Sequence, residues 1–202
     1  MPSDRRELRQ ALETLAFSQE GFFTAAQARD AGYSYQAQKY QVDSGNWTRL
    51  DRGIFRLHNW PDSPTDDYTR WTLWSGGRGV LSHDTALHIH HLSDVDPAKI
   101  HLTVPRGFRA TDPLIVAHIG EISESDREEH GSWSVTTPLR TLADVAGSDL
   151  SQEHVDSAVS DALDQGVVSR RALLRRASTL SERPALRLER ALKNAEEHNG
   201  DQ

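Results

Sequence analysis

Leu8, Leu12 and Leu15 recur at spacings of four and three along "SDRRELRQALETLAF", which lays one apolar stripe on a helix over 3–17. After Gly21 a second run, "FTAAQARDAG" (23–32), opens on Thr24 with Gln27 three residues on. Such a pair satisfies two helix-end amides reciprocally, and Gly32 supplies the stop. Ser34 starts a third run at once, "YQAQKYQVDSG", which closes on Gly45. Short helix, glycine turn, short helix is the helix-turn-helix pattern. "NWTRLDRGIFRL" (46–57) then reads as two strands with Arg52-Gly53 as the turn. That register points Leu50 and Phe55 to the core and sets Arg49 opposite Arg56 on the outer face. Three helices and a basic hairpin predict a winged helix-turn-helix over 1–60. Its small core is expected to rest on Leu8, Leu12, Leu15, Ala28, Val42, Leu50 and Phe55.

"NWPDSPTDD" (59–67), with two prolines among turn-forming residues, reads as a linker. A second domain is then expected over 65–202. It opens with helices at 65–77 and 82–92, the latter capped by Ser82. "IHLTVP" (100–105) and "LIVAHI" (114–119) are β-rich runs separated by a polar turn. "TTPLRTLADVAG" has Thr137 as a helix cap and Pro138 at the first helical position. "SQEHVDSAVSDALDQG", "SRRALLRRASTL" and a run near 184–198 complete a helical tail. The expected fold class is α+β: an N-terminal winged helix-turn-helix followed by an α/β domain with a helical C-terminal tail.

Composition divides the chain at the same place. The net charge is -7 over 202 residues. Residues 1–60 hold eight Arg/Lys against seven Asp/Glu, and the remainder fifteen against twenty-three. A near-neutral head on an acidic body suggests two units with different partners. The chain has no cysteine, which excludes disulfides, thiolate metal sites and a cysteine nucleophile. Neither a membrane-spanning run nor a secretory leader is legible, so a cytoplasmic location without membrane contact is expected.

The third helix carries Gln36, Gln38, Lys39 and Gln41 with Tyr35 and Tyr40 among them, and acid enters only at Asp43. Glutamine can bond adenine bidentately, and lysine reaches guanine or phosphate. Like charges facing across a hairpin destabilise it, unless an anion such as a phosphate track lies beside them. Tyr35, Gln36, Gln38, Lys39, Arg49, Arg52 and Arg56 are therefore the candidate DNA-binding residues. His83, Asp84, His88, His90 and His91 crowd one helix and could be drawn as a zinc site. Their spacing is not HExxH, and packing or capping roles are expected. No carboxylate pair forms a recognisable acid/base constellation. No catalytic residue, metal or cofactor is expected, and the protein is not expected to be an enzyme. "GEISESDREEHG" (120–131) is a solvated loop or a docking surface for a basic partner. Arg170, Arg171, Arg175 and Arg176 could hold nucleic acid, but such arginines more often pair with an acidic body.

The segment "GFFTAAQARDAGYSYQAQKYQVDSGNWTRLDRGIFRL" resembles the N-terminal winged helix of AbiEi-family antitoxins. The wing, an aromatic, a basic residue, then "RGIFRL", is its most specific part. "VLSHDTALHIHHL", "KIHLTVPRGFR" and "VTTPLRTLADVA" look like the antitoxin domain that follows, so the resemblance covers roughly 20–147. It implies a bacterial antitoxin of a type IV toxin–antitoxin pair, a class tied to abortive infection and phage defence. Such a protein neutralises a nucleotidyltransferase-like AbiEii toxin, directly or indirectly. It represses its own operon by binding operator DNA, an inverted repeat. The residues alone equally allow a winged-helix transcriptional regulator with a ligand-sensing or protein-binding C-terminal domain and no toxin partner.

Overall fold

The computed structural model describes residues 5–200, with side chains over 6–197. It is mixed α+β and divides into two compact units. The first comprises Met1–Arg78 and Glu129–Trp133, the second Gly79–Glu128 and Ser134–Gln202.

The first unit runs α1 (Arg5–Ser18), β1 (Phe22–Thr24), α2 (Ala25–Asp30), α3 (Tyr35–Asp43), β2 (Trp47–Asp51), β3 (Ile54–Leu57) and α4 (Asp66–Trp74). The strands form one antiparallel sheet in the order β1-β3-β2. This is the winged-helix order, and α2 and α3 start where the sequence predicts, while the expected start of the first helix at residue 3 lies outside the described residues. Thr24 and Gln27 close a capping box on α2, and Ser34 accepts from the Ala37 amide at the start of α3. Face one of the sheet, Phe23, Trp47 and Phe55, packs on Leu12, Ala16 and Ala28 of the helices. Phe23 meets Trp47 edge to face, with ring centroids 4.8 Å apart.

The opposite face is covered too. Phe22 and Ile54 pack against Leu73 of α4. Trp133 lies at the end of α4 against Tyr68, and Ser132 bonds Thr69. A boundary at 60–65 would therefore strip α4 from the sheet it covers, and the expected domain limits are corrected to those above. Nor is 59–67 a free linker. Arg56, on the covered face, donates to Asp62 Oδ1 (2.9 Å), Pro61 O (2.8 Å) and Asp66 Oδ1 (2.7 Å). Its guanidinium lies over the Phe22 ring. Gly21 sits beneath this strap at φ +81°, where an added Cβ would meet Trp60 at 2.4 Å.

The hairpin register also differs from expectation. Arg52-Gly53 is the turn, with Asp51 opposite Ile54 and Gly53 at φ +79°. A bulge then falls between Arg49 and Asp51, so Arg49 stands opposite Phe55 and Thr48 opposite Arg56. The bulge throws Leu50 out of the core to 41% exposure. Trp47 takes the inward place and makes the larger apolar contact.

A five-stranded sheet in the order β6-β5-β4-β8-β7 is built from β4 (Val80–Leu81), β5 (Ile100–Val104), β6 (Ile115–Ile119), β7 (Arg127–Glu129) and β8 (Ser134–Thr136), all of the second unit except Glu129. β4 and β5 are antiparallel, whereas β4 with β8 and β5 with β6 are parallel. The two β-rich runs of the sequence are thus parallel neighbours, and residues 105–114 must carry the chain back between them. The helices are α5 (His83–His90), α6 (Pro138–Gly147), α7 (Gln152–Asp164), α8 (Arg170–Ala177) and α9 (Glu182–Gly200). Leu142, Val145, Ala158, Val159, Leu173 and Leu188 join their core. Arg187 caps the C-terminal end of α6, donating to the carbonyls of Ala146 (3.1 Å), Ser148 (2.9 Å) and Leu150.

Ion pairs take up part of the charge that the sequence sets out in blocks. Arg140 holds Asp126 (3.0 Å) and Asp144 (2.7 Å), and Arg176 also reaches Asp126 (3.0 Å). Burial opposes the charge on Asp126, yet these hydrogen bonds hold its carboxyl below the usual range. Burial pushes Asp144 up despite Arg140. Arg170 pairs with Glu196.

All five tryptophans, 47, 60, 71, 74 and 133, lie in the first unit, so their fluorescence follows its unfolding alone. Arg56→Ala is expected to lower that unit's stability by about 2–3 kcal/mol, because it orphans Asp66 in a half-buried place. Arg49→Ala, at an exposed site, should change it by less than about 0.5 kcal/mol. Urea titrations read by tryptophan emission measure both, and equal midpoints for the two variants would contradict the buried clamp.

Candidate nucleic-acid interface

A nine-residue helix turns its residues 100° apart, and the packing of α3 fixes which of them face water. Gln38 faces inward at 3% exposure, its amide nitrogen donating to Ala25 O (3.1 Å) and Tyr33 O (3.0 Å). Tyr35, Gln36, Lys39 and Tyr40 are exposed. Gln38 is therefore withdrawn from the candidate set. It fixes the angle of α3 against α2 instead, because a buried amide is held wherever its donors are satisfied. Among the residues that remain, Lys39 bonds Asp43 one turn on at 2.6 Å. An exposed pair of this kind is weak enough for a phosphate to displace.

The wing divides in the same way. Arg49 and Arg52 are exposed, with Arg49 making only a long contact (3.4 Å) to Asp51 O. Asp51 locks the turn, accepting from the Arg52 amide (2.6 Å) and from Arg70 (3.1 Å). The Arg52 amide, then Arg70, hold its carboxyl below the usual range against burial. Arg56 is withdrawn, since its guanidinium is committed to Asp62 and Asp66. The wing turn is tied to the helices through Gly53 O, which accepts from the Ala25 amide at 2.8 Å.

Tyr40 is exposed on the outer face of α3, where the polar pattern of the sequence sets it, and Arg29 of α2 extends that surface. Arg29 of α2 donates to the Tyr35 hydroxyl at 2.9 Å, its guanidinium 5.3 Å from the ring centre. Tyr40 is 66% exposed, the same as Tyr35. Arg29 carried no signal in the sequence. The surface assembled on this unit is thus Arg29, Tyr35, Gln36, Lys39 and Tyr40 with Arg49 and Arg52.

The histidines of the second unit form a different grouping from the one on the helix. His83 stacks on His118, ring centroids 3.5 Å apart, and His118 Nε2 lies 3.3 Å from His101 Nδ1. Asp84 stands 3.9 Å from His101 Nε2. Thr103 donates to Ser82 Oγ, which leaves the Ser82 proton for His83 Nδ1 at 2.9 Å. His90 instead reaches the Thr136 carbonyl, and His91 ends α5 in a left-handed turn. Stacked rings do not converge on one point. Among the described residues no three histidines or carboxylates are arranged to hold a metal. Burial, then His118, His101 and Arg140, push His83 down to about 3. Burial and His101 push His118 down to about 4.

Both groups are neutral when folded and protonate near pH 6.5 when unfolded. The unfolded chain therefore binds more protons below that pH. Stability should fall as pH drops from about 6.5 toward 4, by about 1.4 kcal/mol per histidine per pH unit. His83 sits at φ +50°, a conformation that asparagine tolerates. The H83N/H118Q variant should lose much of this acid sensitivity in chemical unfolding followed by far-UV circular dichroism. A pH profile as steep as that of the parent would mean other groups carry it.

No curated protein matches the chain by sequence. Its fold is similar to the crystal structure of the RV2827C protein from Mycobacterium tuberculosis, with a TM-score of 0.59 and 13% identity. That likeness spans 93% of this chain and 77% of the other, and at such identity it is a likeness of fold. No helix among the described residues is long and apolar enough to cross a membrane. Residues 9–58, from α1 through the wing, match the model of the family described as transcriptional regulator, AbiEi antitoxin.

Proposed function

We propose that the first unit binds duplex DNA, with α3 in the major groove and the Arg49–Arg52 wing on the phosphate backbone. The observation that carries this reading is the outer face of α3. It offers Gln36 and Lys39 near the helix start, where recognition helices meet base edges, with no acid before Asp43. The match of 9–58 to a family of regulators and antitoxins supports it. On the same basis the chain is an antitoxin that represses its own operon at an inverted-repeat operator and neutralises a nucleotidyltransferase-like toxin. The second unit, with its excess of acid, is the candidate for the toxin-directed role, and the compartment is the cytoplasm. A regulator without a toxin partner shares every DNA-binding feature, and only rescue from a co-expressed toxin separates the two.

Backbone and base contacts predict different failures. R49A/R52A should weaken binding to operator and random duplex alike and reduce the log–log salt slope by about 1.8, the value for two lost phosphate contacts. Gln36→Ala or Lys39→Ala should cost roughly 1–3 kcal/mol on operator DNA and much less on random sequence. Fluorescence anisotropy across a salt series measures both. An unchanged slope in R49A/R52A would remove the wing from the interface. Equal losses on both DNAs for Gln36 and Lys39 would put another face of α3 in the groove.

A further inference from the structure

A strand at the edge of a sheet presents unpaired amides and carbonyls, and proteins blunt such edges with charge, bulges or short strands. Three of the four sheet edges among the described residues carry these devices. In the first unit β1 is three residues long, and β2 carries Arg49 and Asp51 with a bulge between them. In the five-stranded sheet β7 reads Arg-Glu-Glu, three charges in three residues. The remaining edge, β6, has none. Its five residues, Ile-Val-Ala-His-Ile, pair with β5 in unbroken register from Ile115 to Ile119. No proline or full charge interrupts them, and His118, held down near 4, stays neutral at pH 7. Ile119 is 59% exposed and Leu114, next to the strand, 52%.

Backbone alternation sets what the edge offers. Leu114 O and Gly120 N bond to β5, so the amides and carbonyls of Ala117 and Ile119 point the other way. Ile115 N is already held by Asp112 O. The side chains of Ile115, Ala117 and Ile119 share one face. That row, Ile-Ala-Ile, reads the same from either end. We propose that β6 is a docking strand for a second copy of this chain, the two strands pairing antiparallel about a two-fold axis at Ala117.

In that arrangement Ala117 faces Ala117 of the partner and exchanges both main-chain hydrogen bonds. Ile115 faces the partner's Ile119 at each end, which buries the exposed isoleucine against its own kind. An isologous contact needs such a self-complementary patch. A charged strand would set like charges against each other, whereas this one sets none. The pairing is independent of the DNA-binding reading, since it uses only the second unit. The patch is small, so the association is expected in the micromolar to millimolar range.

Sedimentation velocity on the full chain across that range should show monomer passing to dimer. A117K and A117E alter an exposed position, and each should remain monomeric with unchanged far-UV circular dichroism. An equimolar mixture of the two should return to dimer, because lysine then faces glutamate across the axis. A parent chain that stays monomeric throughout would overturn the proposal. So would an A117K variant that dimerises like the parent, or a mixture of folded variants that fails to associate. Amide hydrogen exchange on the parent gives a second readout, independent of how the variants fold. Exchange at Ala117 and Ile119 should slow as concentration rises, and rates that ignore concentration would overturn the pairing.

Discussion

Beneath the wing a guanidinium is nearly out of water. Arg56 lies on the face of the small sheet turned toward α4, bonded to Asp66, Asp62 and the Pro61 carbonyl and stacked on Phe22. Removing a charge from solvent is costly unless partners offset it, so the partners come to the two terminal nitrogens, while Nε has none. They come from the stretch just after β3, which is thereby drawn against the sheet. That contact makes α4 part of the winged helix. It also decides which arginines remain for another ligand.

Arg49 and Arg52 are free because they stand beyond this sandwich, at the bulge and the turn. Gln38 and Gln36 show the same division on α3. Two positions apart on a helix means opposite faces, so one glutamine pins the helix and the other is presented by it. An acidic chain can in this way offer a local surface of cations and amides to a polyanion. Much of its opposing charge is engaged elsewhere, as when Arg140 and Arg176 converge on Asp126.

The second unit is held by groups that are far apart in sequence. Arg187 of α9 gathers the carbonyls that α6 leaves open, a connection across some forty residues. The histidine stack brings α5, β5 and β6 together and keeps His83 in a left-handed conformation that costs about 1–2 kcal/mol. Its rings are half-buried and neutral, which suits packing and leaves no cation there for a phosphate.

The sequence by itself determined the helices and their starts, because caps such as Thr24, Ser34 and Thr137 act within three residues of themselves. It also determined the wing turn, since Gly53 must take a positive φ. The strands β1, β4, β7 and β8 were not legible, because two or three residues cannot show a period of two. The face of each arginine and glutamine was decided only in three dimensions. A one-residue bulge at Leu50 set Arg49 opposite Phe55, Trp47 filled the core in that register, and α4 with the strap before it covered Arg56. The grouping of His83 with His101 and His118 likewise depends on the parallel pairing of β5 and β6. Local rules reach one helical turn, whereas burial, which selects the residues left for function, is a property of what the rest of the chain lays over them.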